Sequence, residues 1–193
     1  NWRAEAARFA PDLKVISHHG PGRPHGDDLT AALAGVDLVI TTYTTALHDI
    51  EELAAIRFER VVLDEAQAVK NHLARTSKAV RRIRARQRIA LTGTPMENKL
   101  LELWSIMDLL NPGILGSVER FRVKYATPIE RYGDEQAAAR LRRITQPYIL
   151  RRVKTDPAIA PDLPAKIETK EYCRLTLEQA SLYQAVLSEM MTK

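Results

Sequence analysis

The chain has 193 residues, of which 45% are hydrophobic, so it is long and apolar enough for one sizeable core and is not disordered in composition. No apolar run approaches the roughly 18 residues of a membrane span, and the opening Asn1–Glu5 lacks the pattern of a secretory signal, so we expect a cytoplasmic protein with no membrane partner. The single Cys173 excludes an internal disulfide framework, and the net charge of +5 is compatible with a polyanionic partner.

The first half of the chain alternates strand and helix signals, which predicts a parallel sheet covered by helices. Apolar runs predict strands over Leu13–Ile16, Val36–Ile40, Arg60–Leu63 and Arg88–Leu91. The helical patterns between them cover Asp27–Leu33, Leu47–Ile56 and Leu73–Arg84, the last with Leu73, Val80 and Ile83 on one face. This order of elements is typical of an α/β fold.

After the fourth predicted strand the pattern becomes helical. Thr94–Glu97 fits a capping box with Pro95 at the first helical position, and the helix that follows is so apolar that we expect Trp104 to lie in the core. Asn111–Gly113 stops this helix. Beyond it the sequence predicts helices over Ser117–Ala126 and Asp134–Gln146, a linker with three prolines over Thr155–Pro164, and a last helix that opens with a second capping box at Thr176–Gln179.

Two of the predicted strands end abruptly in polar residues that are able to handle a nucleotide. These are the adjacent carboxylates Asp64 and Glu65 after the third strand, and Thr92, Gly93 and Thr94 after the fourth. In open α/β sheets ligands bind outside the carboxyl ends of the strands. There one carboxylate can hold Mg²⁺ and a second can reach the attacking water, while Gln67 can bind the γ-phosphate or that water. The alternative interpretations give these residues no role at a nucleotide. Asp64 and Glu65 would be ordinary surface charge, and Gln67 would be a helix-start residue. The segment from Thr92 would be a turn that only caps the next helix.

Two further patterns allow more than one interpretation. The seven basic residues from Arg75 to Arg88, with no acidic residue among them, form either a solvated helix face or a face that contacts phosphates. His18, His19 and His25 lie near one another in a predicted loop, which suggests a metal site. With one distant cysteine and no acidic residues at ligand spacing, we expect ordinary loop histidines instead.

The two polar strand ends resemble motifs II and III of the Swi/Snf-type ATPases, helicase-like motors of superfamily two that translocate on double-stranded DNA. The similarity extends over nearly the whole chain, and its combined spacing is specific. Asn1–Glu5 resembles the stretch after motif Ia, and Val39–Tyr43 resembles the motif Ib region. The other matching runs are Asp64–Asn71, Leu91–Asn98, Glu102–Gly113, Ile149–Lys154 and Leu163–Lys166.

The resemblance implies a partial RecA-like first motor lobe, with a parallel sheet and flanking helices, over residues 1–113. It implies an appended helical protrusion over 114–154, and a linker with the first helix toward a second lobe over 155–193. The implied cofactors are ATP and Mg²⁺. The implied partners are double-stranded DNA, the second RecA-like lobe of the same parent chain and DNA-bound proteins, with a nucleoid location in a bacterium or a nuclear one in a eukaryote.

The resemblance also assigns roles to individual residues. Asp64 would hold Mg²⁺ together with Glu65, and Glu65 would act on the hydrolytic water. Thr92 and Thr94, on either side of Gly93, would contact the nucleotide and couple its state to DNA. The residues expected near the DNA backbone are Thr41, Thr42, Tyr43, Lys70 and Asn71.

The departures from the family pattern lead to further expectations. The sequence contains no G-x-x-x-x-G-K-[ST] phosphate loop and no second lobe with its arginine finger, and it opens on Asn1 rather than Met. We therefore expect a piece of a longer protein that hydrolyses no ATP by itself. Gln67 stands where motif II of the family often has His, and this variation leaves the implied Mg²⁺ and water roles untouched.

Two alternatives to a double-stranded-DNA motor remain at this point. One is a helicase of another branch that acts on RNA, against which the run Trp104–Gly113 followed by a helical insertion argues. The other is a non-enzymatic module that binds DNA or protein. A phosphate loop encoded upstream of Asn1 would favour the motor, and a start codon immediately before Asn1 would favour the binding module.

Overall fold

The computed structural model describes residues 1–93, 99–153, 164 and 167–191, which divide into two units, Asn1–Ile149 and Leu150–Lys193. The predicted capping box at Thr94–Glu97 and the predicted linker, except Pro164, lie outside the described residues. The first unit contains, in chain order, α1 (Trp2–Phe9), β1 (Val15–Ser17), α2 (Gly26–Leu33), β2 (Leu38–Ile40), α3 (Tyr43–His48), α4 (Ile50–Ala55), β3 (Arg57–Leu63), a 3₁₀ turn (Ala66–Val69), α5 (Arg75–Arg82), β4 (Arg84–Ala90), α6 (Leu100–Leu110), α7 (Val118–Phe121), a π-helical turn (Arg122–Ala126), α8 (Thr127–Tyr132), α9 (Glu135–Thr145) and a second 3₁₀ turn (Gln146–Tyr148).

All four strands pair in parallel, which confirms the predicted α/β class. β1 pairs with β2 in the register Val15 to Leu38, and β3 pairs with β4 in the register Leu63 to Ala90. Among the described residues the four strands form two separate two-stranded ladders, one of β1 with β2 and one of β3 with β4. The helices α3 to α5 pack against one face of β3, and Val62 on the other face is 51% exposed.

Two predicted helix boundaries in the first half are wrong. The helix expected over Leu47–Ile56 is two helices, α3 and α4, which meet at Asp49. The first of them begins earlier than predicted because the Thr42 hydroxyl accepts a hydrogen bond from the backbone N–H of Thr45 at 3.1 Å and so caps the helix. α5 begins only at Arg75, so Leu73 is 65% exposed instead of facing the core.

Asp49 breaks the predicted helix because its carboxylate lies in a buried polar cluster. Arg23 donates from Nε to Oδ2 at 2.5 Å and from Nη2 to Oδ1 at 2.7 Å, and Nε2 of the fully buried His18 lies 2.8 Å from Oδ2. The guanidinium of Arg23 lowers the pKa of Asp49 to about 2. His25 pairs separately with Glu52 at 2.9 Å. The cluster joins the loop after β1 to the junction of α3 and α4.

Helix α6 is buried on two sides, as its apolar composition predicts. Leu109 packs with Leu63, Ala66, Val69 and Val80 near the end of β3. On the other side, α6 shares a core with the helices that follow it in the chain; the buried members are Leu100, Trp104, Met107, Leu115, Phe121, Tyr125, Ala126 and Leu141. The same helix therefore supports the end of β3 and the core of the helical region.

The helix predicted to end at Ala126 continues to Tyr132. The π-helical turn Arg122–Ala126 joins α7 to α8, and Pro128, which has no N–H to donate to the preceding turn, lies two residues after this irregular turn. The helix ends at Gly133, whose φ of 63° is left-handed.

The second unit contains α10 (Leu177–Met191). The predicted capping box at its start is confirmed, because Thr176 Oγ1 accepts from the Gln179 N–H at 3.2 Å and Gln179 Oε1 accepts from the Thr176 N–H at 3.1 Å. No helix of the described residues is long and apolar enough to cross a membrane.

The cluster around Asp49 predicts a pH-dependent stability. Because the pKa of Asp49 is lowered from 3.8 to about 2 on folding, the ionised carboxylate contributes about 2 kcal/mol above pH 4, and this contribution is lost as the pH falls toward 2. Asp49→Asn should therefore lower the free energy of unfolding at pH 7 by roughly 2–3 kcal/mol, since it removes the charge that pairs with Arg23. Urea unfolding at several pH values measures the difference in unfolding free energy between Asp49→Asn and the unsubstituted protein. This difference should become smaller below pH 4.

Glu51→Gln is the matched control, because Glu51 pairs with Arg82 at the surface, where the two side chains are 79% and 49% exposed. Its effect on stability should be much smaller than that of Asp49→Asn. Equal losses of unfolding free energy in the two variants would contradict this account. A stability difference between Asp49→Asn and the unsubstituted protein that stays constant from pH 7 to pH 3 would contradict it too.

Candidate functional site

The turn after β3 presents two carboxylates to solvent between buried neighbours. Leu63 before the turn and Ala66 after it are 5% and 1% exposed, whereas Asp64 and Glu65 are exposed. Glu65 has φ 49° and ψ 51°, and it is the one non-glycine residue with positive φ in the described part of the chain. A left-handed conformation is costly for an L-residue with a Cβ. The apolar contacts on both sides of the turn therefore maintain a backbone geometry that Glu65 does not favour.

Two distant segments and the adjacent residue Glu65 hold Asp64. Trp2 donates from its indole Nε1 to Asp64 Oδ2 at 2.7 Å, and the backbone N–H of Glu65 donates to Oδ1 at 3.0 Å. The hydroxyl of Tyr43 donates to the backbone carbonyl of Asp64 at 2.8 Å. Burial and the nearby carboxylates of Asp64 and Glu65 raise the pKa of Tyr43 to about 12, so its hydroxyl remains a donor.

Gln67 connects the ends of β3 and β4. Its amide nitrogen donates to Glu65 Oε2 at 2.5 Å, and its amide oxygen accepts from the Thr92 hydroxyl at 2.7 Å. The strand pairing continues up to this point, because Leu91 donates to the carbonyl of Leu63 at 2.8 Å. The structure thus brings together residues that were predicted to serve one site. Both amide atoms of Gln67 contact protein here, so its contact with phosphate or water stays a prediction. Gly93 follows directly, and Thr94 lies outside the described residues.

The residues predicted to lie near DNA have local contacts of their own. The Thr41 hydroxyl donates to the carbonyl of His18 at 2.9 Å, and Thr42 caps α3. Lys70 forms an ion pair with Glu102 at 3.3 Å, and Asn71 Oδ1 accepts from the backbone of Leu73. Thr41, Thr42 and Asn71 are nevertheless exposed, so contact with a nucleic acid stays a prediction for them.

Four of the seven basic residues between Arg75 and Arg88 have partners within the chain. Arg81 pairs with Asp108 at 2.7 Å, and Arg82 and Arg86 pair with Glu51 and Glu59. Arg88 donates to the carbonyls of Arg81, Ile83 and Leu109, so it caps the carboxyl ends of α5 and α6. Burial lowers the pKa of Arg88. More than half of these basic side chains therefore stabilise the fold through contacts within the chain.

The donor set at the end of β3 fits hard cations, Mg²⁺ among them. Asp64 and Glu65 supply hard carboxylate oxygens at the surface, and no group of three or more potential metal-ligating side chains exists in the described residues. Mg²⁺ suits such a site, because it keeps several waters and binds through one or two carboxylates plus substrate phosphates. The arrangement fits magnesium carried with a nucleotide rather than a closed protein cage.

Comparisons with known proteins identify the family of this chain. Residues 1–193 match the family described as the SNF2-related domain. The chain belongs to this family. It is 45% identical over 189 residues to the protein named "Putative ATP-dependent helicase/translocase YwqA" of Bacillus subtilis, covering 98% of this chain and 20% of YwqA. It is 32% identical over 206 residues to the chromatin-remodeling ATPase INO80 of Homo sapiens, covering 98% of this chain and 13% of INO80.

A solved structure extends the match to the fold. The SWI2/SNF2 ATPase core of Sulfolobus solfataricus in complex with double-stranded DNA has a TM-score of 0.73 and 44% identity, covering 100% of this chain and 39% of that one. The predicted resemblance and the RecA-like α/β fold are thereby confirmed. The SNF2-related chain spans a fifth or less of the two relatives above and about two fifths of the solved core.

Two contacts of this site were not predicted from the sequence. The hydrogen bond from Trp2 joins residues 62 positions apart, and no local pattern indicates it. The second is the hydrogen bond from the hydroxyl of Tyr43 to the backbone carbonyl of Asp64, and the predicted position of Tyr43 near DNA stays a prediction.

The left-handed turn at Glu65 leads to a stability prediction. Glu65→Gly should leave the protein more stable than Glu65→Ala by about 1 kcal/mol, because glycine adopts positive φ without steric cost. Both substitutions remove the carboxylate and its bond to Gln67, so the difference in stability between the two variants reports the cost of the left-handed backbone conformation. Denaturant unfolding followed by circular dichroism measures it. Equal stabilities, or a more stable alanine variant, would contradict the left-handed conformation.

Proposed function

We propose that this chain is part of a motor that hydrolyses ATP with Mg²⁺ and moves along double-stranded DNA. The observation that carries the proposal is the pair of exposed carboxylates at the end of β3, which the Gln67 amide joins to Thr92 at the end of β4. Family membership supports it, because YwqA is named as an ATP-dependent helicase/translocase and the Sulfolobus core was solved with double-stranded DNA.

The chemistry divides between the two adjacent carboxylates. Asp64, together with Glu65, would hold Mg²⁺, which neutralises charge on the phosphates when it is bound. Glu65 would orient and activate the attacking water as a general base. Gln67 keeps the Glu65 carboxylate in place, since it donates to Oε2, and it transmits the position of Thr92 to this base. Gly93 and Thr94 would complete the contacts with the nucleotide.

The remaining parts of the motor follow from the predicted organisation. Residues 1–113 form part of the first lobe, 114–154 the helical protrusion, and 155–193 the connection toward the second lobe. The phosphate loop and an arginine that completes the site would come from other parts of the longer protein. Thr41, Thr42, Tyr43, Lys70 and Asn71 would lie against the DNA backbone, which suits movement over any sequence. The DNA-bound proteins that such a motor displaces would lie on the nucleoid or in the nucleus.

The test is ATP turnover by the full-length protein with duplex DNA, single-stranded DNA or RNA of equal length. We expect duplex DNA to stimulate turnover by at least about tenfold over the protein alone, and residues 1–193 by themselves to show no turnover above background. Stronger stimulation by RNA would favour a helicase of another branch, and no turnover under any condition would favour a binding module. Either result would contradict the proposal, as would turnover by residues 1–193.

A further inference from the structure

Trp2 contacts the proposed metal site without belonging to the core of the protein. It is the first residue of α1, a helix with no buried residue, and the residue is 47% exposed. Its indole N–H nevertheless lies 2.7 Å from Asp64 Oδ2, a short distance that is typical of a hydrogen bond to a charged acceptor. Packing of α1 therefore does not explain why this ring stands beside the carboxylate.

The geometry at Asp64 shows what the contact does to the carboxylate. Oδ1 accepts from the backbone N–H of Glu65, and Oδ2 accepts from Trp2, so both oxygens are fixed and the plane of the group is set. Each carboxylate oxygen has two lone pairs, so one acceptor direction per oxygen remains for a cation or its water. Among the described residues, Trp2 makes the one side-chain hydrogen bond to this carboxylate.

We propose that Trp2 is a positioning residue of the metal site, which acts through Asp64 and does not touch the nucleotide. The indole N–H holds the Asp64 carboxylate in the orientation that Mg²⁺ and its waters require, and the bond persists when the cation binds. Residues that orient metal ligands in this way typically change metal affinity or activity by about 10- to 100-fold when they are replaced. The proposal rests on the function proposed above for Asp64.

The test measures metal binding directly, in the full-length protein. Free Mn²⁺ is counted by electron paramagnetic resonance during titration in the presence of a non-hydrolysable ATP analogue. Trp2→Phe keeps an aromatic ring and removes the indole N–H donor, so we expect at least about a tenfold loss of Mn²⁺ affinity. Affinity for the analogue in EDTA should stay within about twofold, and saturating Mg²⁺ should restore most of kcat while the KM for Mg²⁺ rises.

Two further variants separate positioning from a general structural effect. Phe9→Leu replaces the exposed aromatic residue at the other end of α1 and should leave Mn²⁺ affinity unchanged. In an Asp64→Asn background, Trp2→Phe should have no additional effect, because the carboxylate on which it acts is already lost.

Each result of the Mn²⁺ titration either supports or contradicts the proposed role of Trp2. If Trp2→Phe binds Mn²⁺ as well as the unsubstituted protein, or loses analogue affinity equally with and without metal, the positioning role is wrong while the proposed function stands. If the unsubstituted protein binds no Mn²⁺ with the analogue, the proposed function and the role of Trp2 are both overturned.

Discussion

The sharp turn at the end of β3 is the constraint on which the candidate site depends. Leu63 and Ala66 are buried on either side of it, and they leave only Asp64 and Glu65 to span the surface between them. This forces Glu65 into a left-handed conformation that costs roughly 1–2 kcal/mol. Burial of a side chain such as Leu63 contributes about 1.5–3 kcal/mol, so the local packing offsets the strain. Both carboxylates therefore remain at the end of β3 and do not become part of the helical turn that follows.

Helix α6 connects this turn to the helical region. Leu109 packs under the turn, while Trp104 belongs to the core of the helices after Gly113. The ion pair between Lys70 and Glu102 adds a further contact between α6 and the segment after the turn. Because close-packed interiors transmit displacement, a force on the helical region reaches the residues beneath the two carboxylates. This arrangement suits the motor proposed above.

The sequence predicted those parts of the fold that depend on local patterns. Apolar runs located all four strands, the capping box at Thr176 was correct, and the polar strand ends were recognised. The halves of β3 and β4 that carry Arg57 and Arg84 were missed, because charged side chains on an exposed face conceal an extended strand. Contacts between distant segments left no local pattern either, which is why the break at Asp49, the capping by Arg88 and the bond from Trp2 emerged only from the structure.

The central claim is that Glu65 acts on the hydrolytic water, and one substitution in the full-length protein tests it most directly. Glu65→Gln keeps the size of the side chain and removes the base, so affinity for ATP should stay within about twofold while DNA-stimulated turnover falls by about 10²- to 10⁴-fold. Glu51→Gln, which changes a surface residue paired with Arg82, should leave both quantities unchanged. Turnover within a few-fold of the unsubstituted protein in Glu65→Gln would contradict the account.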